Sequence, residues 1–266
     1  MKIINFHTHI YPDKIAEKAA LSIGEFYGGV NMSGNGTVDG LLKEGKAAGV
    51  SEYLVHSVAV SERVVNAIND FIIDECKKHS EFHGFGTMHA DYGNKIDECK
   101  RIIDLGLKGI KIHPDTQKFN LDDERMYEFY DYLRQNHIPL LTHCGDYRFD
   151  YSHPKRLKKL LHDLPGLTVI GAHFGGWSIC DLAYEYLADE NCMLDTSSSF
   201  WMLGKNRSKE IIRMYGAERL VFGSDYPMWN TGEELEFLLS LGLSDDELEL
   251  ILHKNAEMIL NLREDD

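Results

Sequence analysis

The chain has 266 residues, a length that suits one α/β barrel and exceeds most other single domains. At 43% hydrophobic and 27% charged residues with six prolines it has a globular composition, which excludes a disordered or fibrous protein. Lysine and arginine number 28 against 43 aspartates and glutamates, and the net charge of −15 makes nucleic acid and anionic membrane surfaces poor partners. The first apolar run follows Lys2 and soon meets His7, unlike a secretory leader. The longest stretch free of charged side chains, Leu164 to Cys180, contains four glycines and His173 and is too short to span a membrane. The expectation is a cytoplasmic protein. Five cysteines, an odd number with no C-x-x-C pair, fit reduced thiols better than a disulfide framework or a zinc knuckle.

Along the chain, short apolar runs alternate with longer amphipathic segments. The predicted strands are Lys2–His7, Tyr53–Val58, Phe82–Met88, Leu107–His113, Ile138–His143, Leu167–His173, Cys192–Thr196 and Arg219–Ser224. Helices are predicted over Val38–Ala48, Glu62–Lys78, Lys95–Leu105, Asp123–Asn136, Pro154–Asp163, Ile179–Ala188 and Ser208–Tyr215, with a closing helix from about Ser244, where Ser244 and Glu247 form a capping box. Gly49, Gly106 and Gly216 mark helix ends. Eight such units in series form one domain and admit two architectures, a closed (β/α)8 barrel or a doubly wound open sheet. Two irregular segments, Phe26–Thr37 and Asp146–His153, are either surface connections or covers over the C-terminal strand ends, and the glycines of the first suit a mobile cover.

His7 and His9 form an H-x-H pair at the end of the first strand, where side chains at i and i+2 point the same way and can meet one ion. With 13 histidines such a pair is common by chance. The other positions carry more weight, because His56, His89, His113, His143 and His173 also fall at or just past predicted strand ends, and Asp225 follows the eighth strand. In a barrel those ends converge on one face. Each residue also has a plainer reading: His56 satisfied by backbone, His89 and His113 capping the loops that follow, His173 packed beneath Gly175 and Gly176.

Five stretches together resemble the amidohydrolase superfamily, in its family 2 branch of aminocarboxymuconate-semialdehyde decarboxylase-like enzymes. They are NFHTHIYPDKIAEKA at 5–19, GLKGIKIHPD at 106–115, PLLTHCGD at 139–146, GLTVIGAHFGGW at 166–177 and RLVFGSDYP at 219–227. The resemblance implies the (β/α)8 barrel, the metal-dependent hydrolase type of TIM barrel. It also implies metal ligation by His7, His9, His143 and Asp225, and a catalytic role for His173 beside the metal. Lys111 matches the strand-four lysine that bridges two metals in binuclear relatives, but the branch is mostly mononuclear, so one ion and an unmodified lysine are expected. Cys144 stands where the family has a small residue and is read as packing.

Three imidazoles and a carboxylate suit zinc or another first-row divalent metal, with an open position for water. Asp225 then serves as proton shuttle, and His173 stabilises an oxyanion. Lys111, His113, Arg148 and Tyr147 are candidate contacts to a small-molecule substrate. Hydrolysis of an amide, lactam or lactone is the first expectation and non-oxidative decarboxylation the alternative, since a decarboxylase needs a fixed cation near the metal and neither Lys111 nor Arg148 is compelling for that part. A catalytically idle metal-binding barrel is disfavoured by the complete ligand set with His173. Homo-oligomerisation is left open.

Overall fold

The computed structural model describes residues 1–262. Eight parallel strands follow one another in chain order in one sheet, β1 (Ile4–His9), β2 (Glu52–His56), β3 (Phe82–Thr87), β4 (Gly109–Ile112), β5 (Leu140–Thr142), β6 (Val169–Gly171), β7 (Met193–Asp195) and β8 (Leu220–Val221). Helices alternate with them, and the fold is the expected (β/α)8 barrel rather than the open sheet. The strands are buried on both faces, even where they carry polar residues such as Asn5, His7, Thr8 and Lys111.

The helices before β5 are α1 (Asp13–Phe26), α2 (Val38–Ala48), α3 (Val65–Lys78), α4 (Lys95–Asp104), α5 (Pro114–Gln117) and α6 (Glu124–Gln135). Those after it are α7 (Pro154–Asp163), α8 (Cys180–Leu187), α9 (Phe200–Tyr215), α10 (Thr231–Leu239), α11 (Asp245–Glu249) and α12 (Asn255–Leu260). A π-helical turn, Leu250–Lys254, joins the last two. The capping box forms as read, with the Ser244 hydroxyl accepting from Glu247 N and the Glu247 carboxylate accepting from Ser244 N at 2.7 Å. Gly49, Gly106 and Gly216 all adopt positive φ at helix ends, the left-handed region glycine enters without strain.

Packing gathers the chain into two compact units. One comprises residues 1–56, 81–83 and those from Thr196 onward, with Ile4, Phe6, Leu54, Val55, Leu220 and Phe222 in its core. The other comprises residues 57–80 and 84–195, with Ile110, Ile112, Leu140, Leu141 and Ile170 in its core. Among the described residues no helix is long and apolar enough to cross a membrane, and all five cysteines are free thiols.

Among the helices that differ from the sequence reading, α1, α9 and α10 show why. The first, α1, buries Ala16, Ala20 and Gly24, so its inner face is made of small residues spaced four apart, while Ile15 and Leu21 face solvent. In α9, Gly204 at φ +65° interrupts the helical backbone, and only the part after it carries a regular pattern. α10 buries Thr231 and Glu234 beside Leu235 and Leu238, which blurs its apolar stripe. The expected mobile cover is also corrected in part. Ser33 N donates to Met228 O, Gly34 N to Pro227 O and Tyr11 N to Gly36 O, so residues 33–36 are strapped to neighbouring backbone. A Cβ at Gly34 would come within 2.4 Å of the Tyr226 ring, which explains the glycine there.

Candidate metal centre

In the first unit, β1 delivers His7 and His9. A register shift between Asn5 and Thr8 marks an irregularity in β1, a device that re-aims side chains next to functional sites. The Asn5 amide then locks the strand to the segment after β8, donating to Ser224 Oγ at 2.7 Å and accepting from Ser224 N at 3.0 Å. Backbone bonds complete the register: Phe6 N donates to Phe222 O, Asp225 N to His7 O and His9 N to Tyr226 O, at 2.7–2.8 Å. These contacts bring the Asp225 carboxylate to the two imidazoles.

His7 Nε2 lies 3.2 Å from His9 Nε2, and each lies 3.4 Å from Asp225 Oδ1. Donors placed about 2.1 Å from a common centre at tetrahedral to octahedral angles are spaced about 3.0–3.4 Å apart, so this triangle has the edge lengths of a metal-ligand set. The chemistry fits too, since two imidazoles and a carboxylate suit a divalent first-row ion. Around the triangle, Ser197 Oγ sits 3.1 Å from His7 Nδ1, which leaves Nε2 for the other donors. The Ser198 hydroxyl donates to Asp225 Oδ2 at 2.5 Å and accepts from Trp229 Nε1 at 2.7 Å. His56 is fully buried, with its ring edge-on to His9 and a donor atom within 4.8 Å of those of His7 and His9.

In the second unit, His143 and His173 follow β5 and β6. His143 Nδ1 is 3.1 Å from His173 Nε2, and the backbone N–H of His173, whose φ is +61°, donates to the Asp195 carboxylate at 3.0 Å. His143 Nε2 is 3.4 Å from Asp115 Oδ2. Asp115 accepts from Ser152 N at 3.1 Å and from Ser152 Oγ at 2.5 Å; burial nonetheless pushes its carboxyl up to about 6 against the pull of those bonds. His113 stacks on His143 at 3.8 Å and accepts from Thr116 N through Nδ1, so it caps α5 as well as facing a rim histidine. His89 likewise accepts from Asp91 N.

The remaining predicted contacts divide. Lys111 is buried in β4. Arg148 is engaged by its own loop, pairing through two nitrogens with the fully buried Asp146 and lying over the rings of Phe149 and Trp177. Tyr147 is 72% exposed, and its backbone N–H donates to Ser178 Oγ at 2.9 Å. Burial raises the Cys144 thiol well above its ordinary value despite the nearby Lys111 charge, as befits a packing residue. Sequence reasoning missed Ser197, Ser198, Trp229 and Asp115. Asp115 lies inside the quoted motif, whereas the serine run after β7 reads as loop in the sequence and is fully buried in the structure.

Residues 4–262 match the amidohydrolase family profile, and the chain belongs to that family. No curated protein sequence matches it. Several solved structures share its fold. A 2,6-dihydroxybenzoate decarboxylase complexed with 2,6-dihydroxybenzoate has a TM-score of 0.78 at 17% identity, covering 98% of this chain and 100% of its own. A 5-carboxyvanillate decarboxylase from Novosphingobium aromaticivorans, complexed with manganese and 4-hydroxy-3-methoxy-5-nitrobenzoic acid, has a TM-score of 0.76 at 18% identity over 98% and 96% of the two chains. A protein from Pseudomonas putida provisionally named a 2-pyrone-4,6-dicarboxylic acid hydrolase has a TM-score of 0.71 at 15% identity over 98% and 97%. At these identities the likeness shows the fold alone.

Proposed function

We propose that the chain is a single-domain, metal-dependent hydrolase of a small carboxylic acid derivative, an amide, lactam or lactone. The ion, zinc or another first-row divalent metal, is held by His7, His9, His143 and Asp225. The reading is carried by the donor triangle of His7, His9 and Asp225, whose 3.2–3.4 Å edges suit one ion. When bound, such an ion polarises a carbonyl and lowers the pKa of water towards neutrality.

The chain's own groups do the rest. Asp225 takes the proton released by the attacking water and returns it to the leaving nitrogen or oxygen. His173 donates a hydrogen bond to the charge that develops on the substrate oxygen. Lys111, His113, Arg148 and Tyr147 are assigned to substrate contact.

Decarboxylation is the second reading, favoured by the decarboxylases that make up most of the similar structures. It calls for a cation fixed near the leaving carboxylate, and the pairing of Arg148 with buried Asp146 weighs against that residue. Purified protein offered lactones, amides and unsaturated carboxylic acids, with carbon dioxide monitored, separates the two. Acid formation without carbon dioxide is the expected result. Carbon dioxide release from an unsaturated acid, with lactones and amides inert, installs the decarboxylase instead.

A further inference from the structure

Ser197, Ser198 and Ser199 follow β7 and are fully buried, although the reaction proposed above uses none of their hydroxyls. Ser199 Oγ donates to the backbone oxygen of Ser197 at 2.9 Å, which is turn structure. Ser198 is different. Its φ is +53° and that of Asp225 is +60°, so both partners of the short hydrogen bond sit in the left-handed region that disfavours side chains.

The direction of that bond follows from the donors. An indole N–H can only donate, and a serine hydroxyl carries one proton. Accepting from Trp229 Nε1 therefore commits the Ser198 proton elsewhere, and Asp225 Oδ2 at 2.5 Å is the strong acceptor while Met228 Sδ at 3.4 Å is the weak one. Trp201 braces the arrangement, its Nε1 donating to Ser198 O at 3.0 Å and its ring stacking on Trp229 at 5.8 Å between centroids.

We propose that Ser198, aimed by Trp229, is a positioning residue for Asp225: it holds Oδ2, so that Oδ1 is presented to His7 and His9. The proposal rests on the reading of Asp225 as ligand and proton acceptor. With Oδ2 tied back, the carboxylate cannot turn about its own axis, and the ion meets one fixed oxygen rather than a rotating pair.

The test titrates metal-free protein with cobalt(II) alone, following affinity and the visible absorption bands, which report ligand arrangement. Ser198→Gly is the main variant, because glycine enters this backbone region without strain, which offsets part of the cost of leaving Trp229 Nε1 and Asp225 Oδ2 without the hydroxyl, and the thermal midpoint confirms that the variant is folded. It is expected to bind cobalt roughly 10–100-fold more weakly with shifted bands. Trp229→Phe keeps the hydroxyl but loses its aim, and a smaller change in the same direction is expected. Wild-type affinity and spectrum in Ser198→Gly overturn the positioning role while leaving the ligand assignment standing. Equal cobalt binding by wild type and His7→Ala overturns the ligand assignment, and this proposal with it.

Discussion

The residues around His7, His9 and Asp225 and those around His113, Asp115 and His143 look alike in sequence, as histidines and an aspartate at strand ends, yet they are built differently. In the first group, His7 Nδ1 and Asp225 Oδ2 are engaged from behind by Ser197 and Ser198, and the forward atoms face one another at 3.2–3.4 Å. In the second, His113 turns Nδ1 onto the start of its own helix, and Asp115 is gripped by both the hydroxyl and the N–H of Ser152. A place on the rim does not by itself make a ligand: His113 and Asp115 are engaged locally, while their neighbour His143 is the one assigned to the ion. What stands behind the ring decides which nitrogen faces forward.

The largest expected effect tests that contrast directly. Metal analysis of purified protein is expected to find about one first-row ion per chain, lost in His7→Ala with His9→Ala and kept in His113→Ala. Full metal content in the double variant would sink the distinction. Two ions about 3.5–4 Å apart with a carbamate on Lys111 would replace it with a binuclear site.

Ser152→Ala sharpens the second half of the comparison. It takes a hydroxyl from a carboxylate with no exposed side-chain surface, and the expected loss is about 1–3 kcal/mol in denaturant unfolding with metal content unchanged. Loss of metal without loss of stability would make Asp115 part of the ion's support instead.

The smallest effect concerns the two ends of β2, where His56 closes one end and Glu52 opens the other. Glu52 bonds Lys2 Nζ and His83 Nε2, each at 2.6 Å, and although burial alone would raise its carboxyl, those partners hold it below the ordinary carboxylate value. A depressed folded value means a contribution complete above the unfolded carboxylate range and lost as pH falls through the folded value. Glu52→Gln is expected to cost about 1 kcal/mol or less at pH 7 and to flatten the acid limb of the stability curve, with metal binding untouched. An acid limb as steep as wild type would remove Glu52 from that account.

All eight strands were legible because each carries apolar residues in a short segment between amphipathic helices or turn residues, and strand-end histidines were legible once those ends were placed. Helix α1 was not, since close packing through Ala16, Ala20 and Gly24 uses small residues where periodicity looks for large ones. The supports of the site were less legible still. Serine at 197 and 198 reads as loop chemistry in sequence, and its burial follows from partners such as His7 and Asp225 that lie far away along the chain. The engagement of Arg148 by Asp146 was hidden for a different reason, because side-chain direction within a loop has no period to betray it.

The π-helical turn at Leu250–Lys254 has a bearing on how the site is made. That turn carries Ile251, whose carbonyl accepts from Phe222 N at 2.8 Å, and it ends at Asn255, whose amide donates to Ala217 O and Leu220 O at 2.8 and 2.7 Å. β8 itself is two residues long, so much of what holds the backbone leading to Asp225 is borrowed from this later segment. A chain emerging from the ribosome has released His7 and His9 early and Asp225 late, yet it still lacks Ile251 and Asn255 when Asp225 appears. The carboxylate therefore gains its full backing only after Ile251 and Asn255 have emerged, so the donor triangle is completed by residues that supply none of its donors.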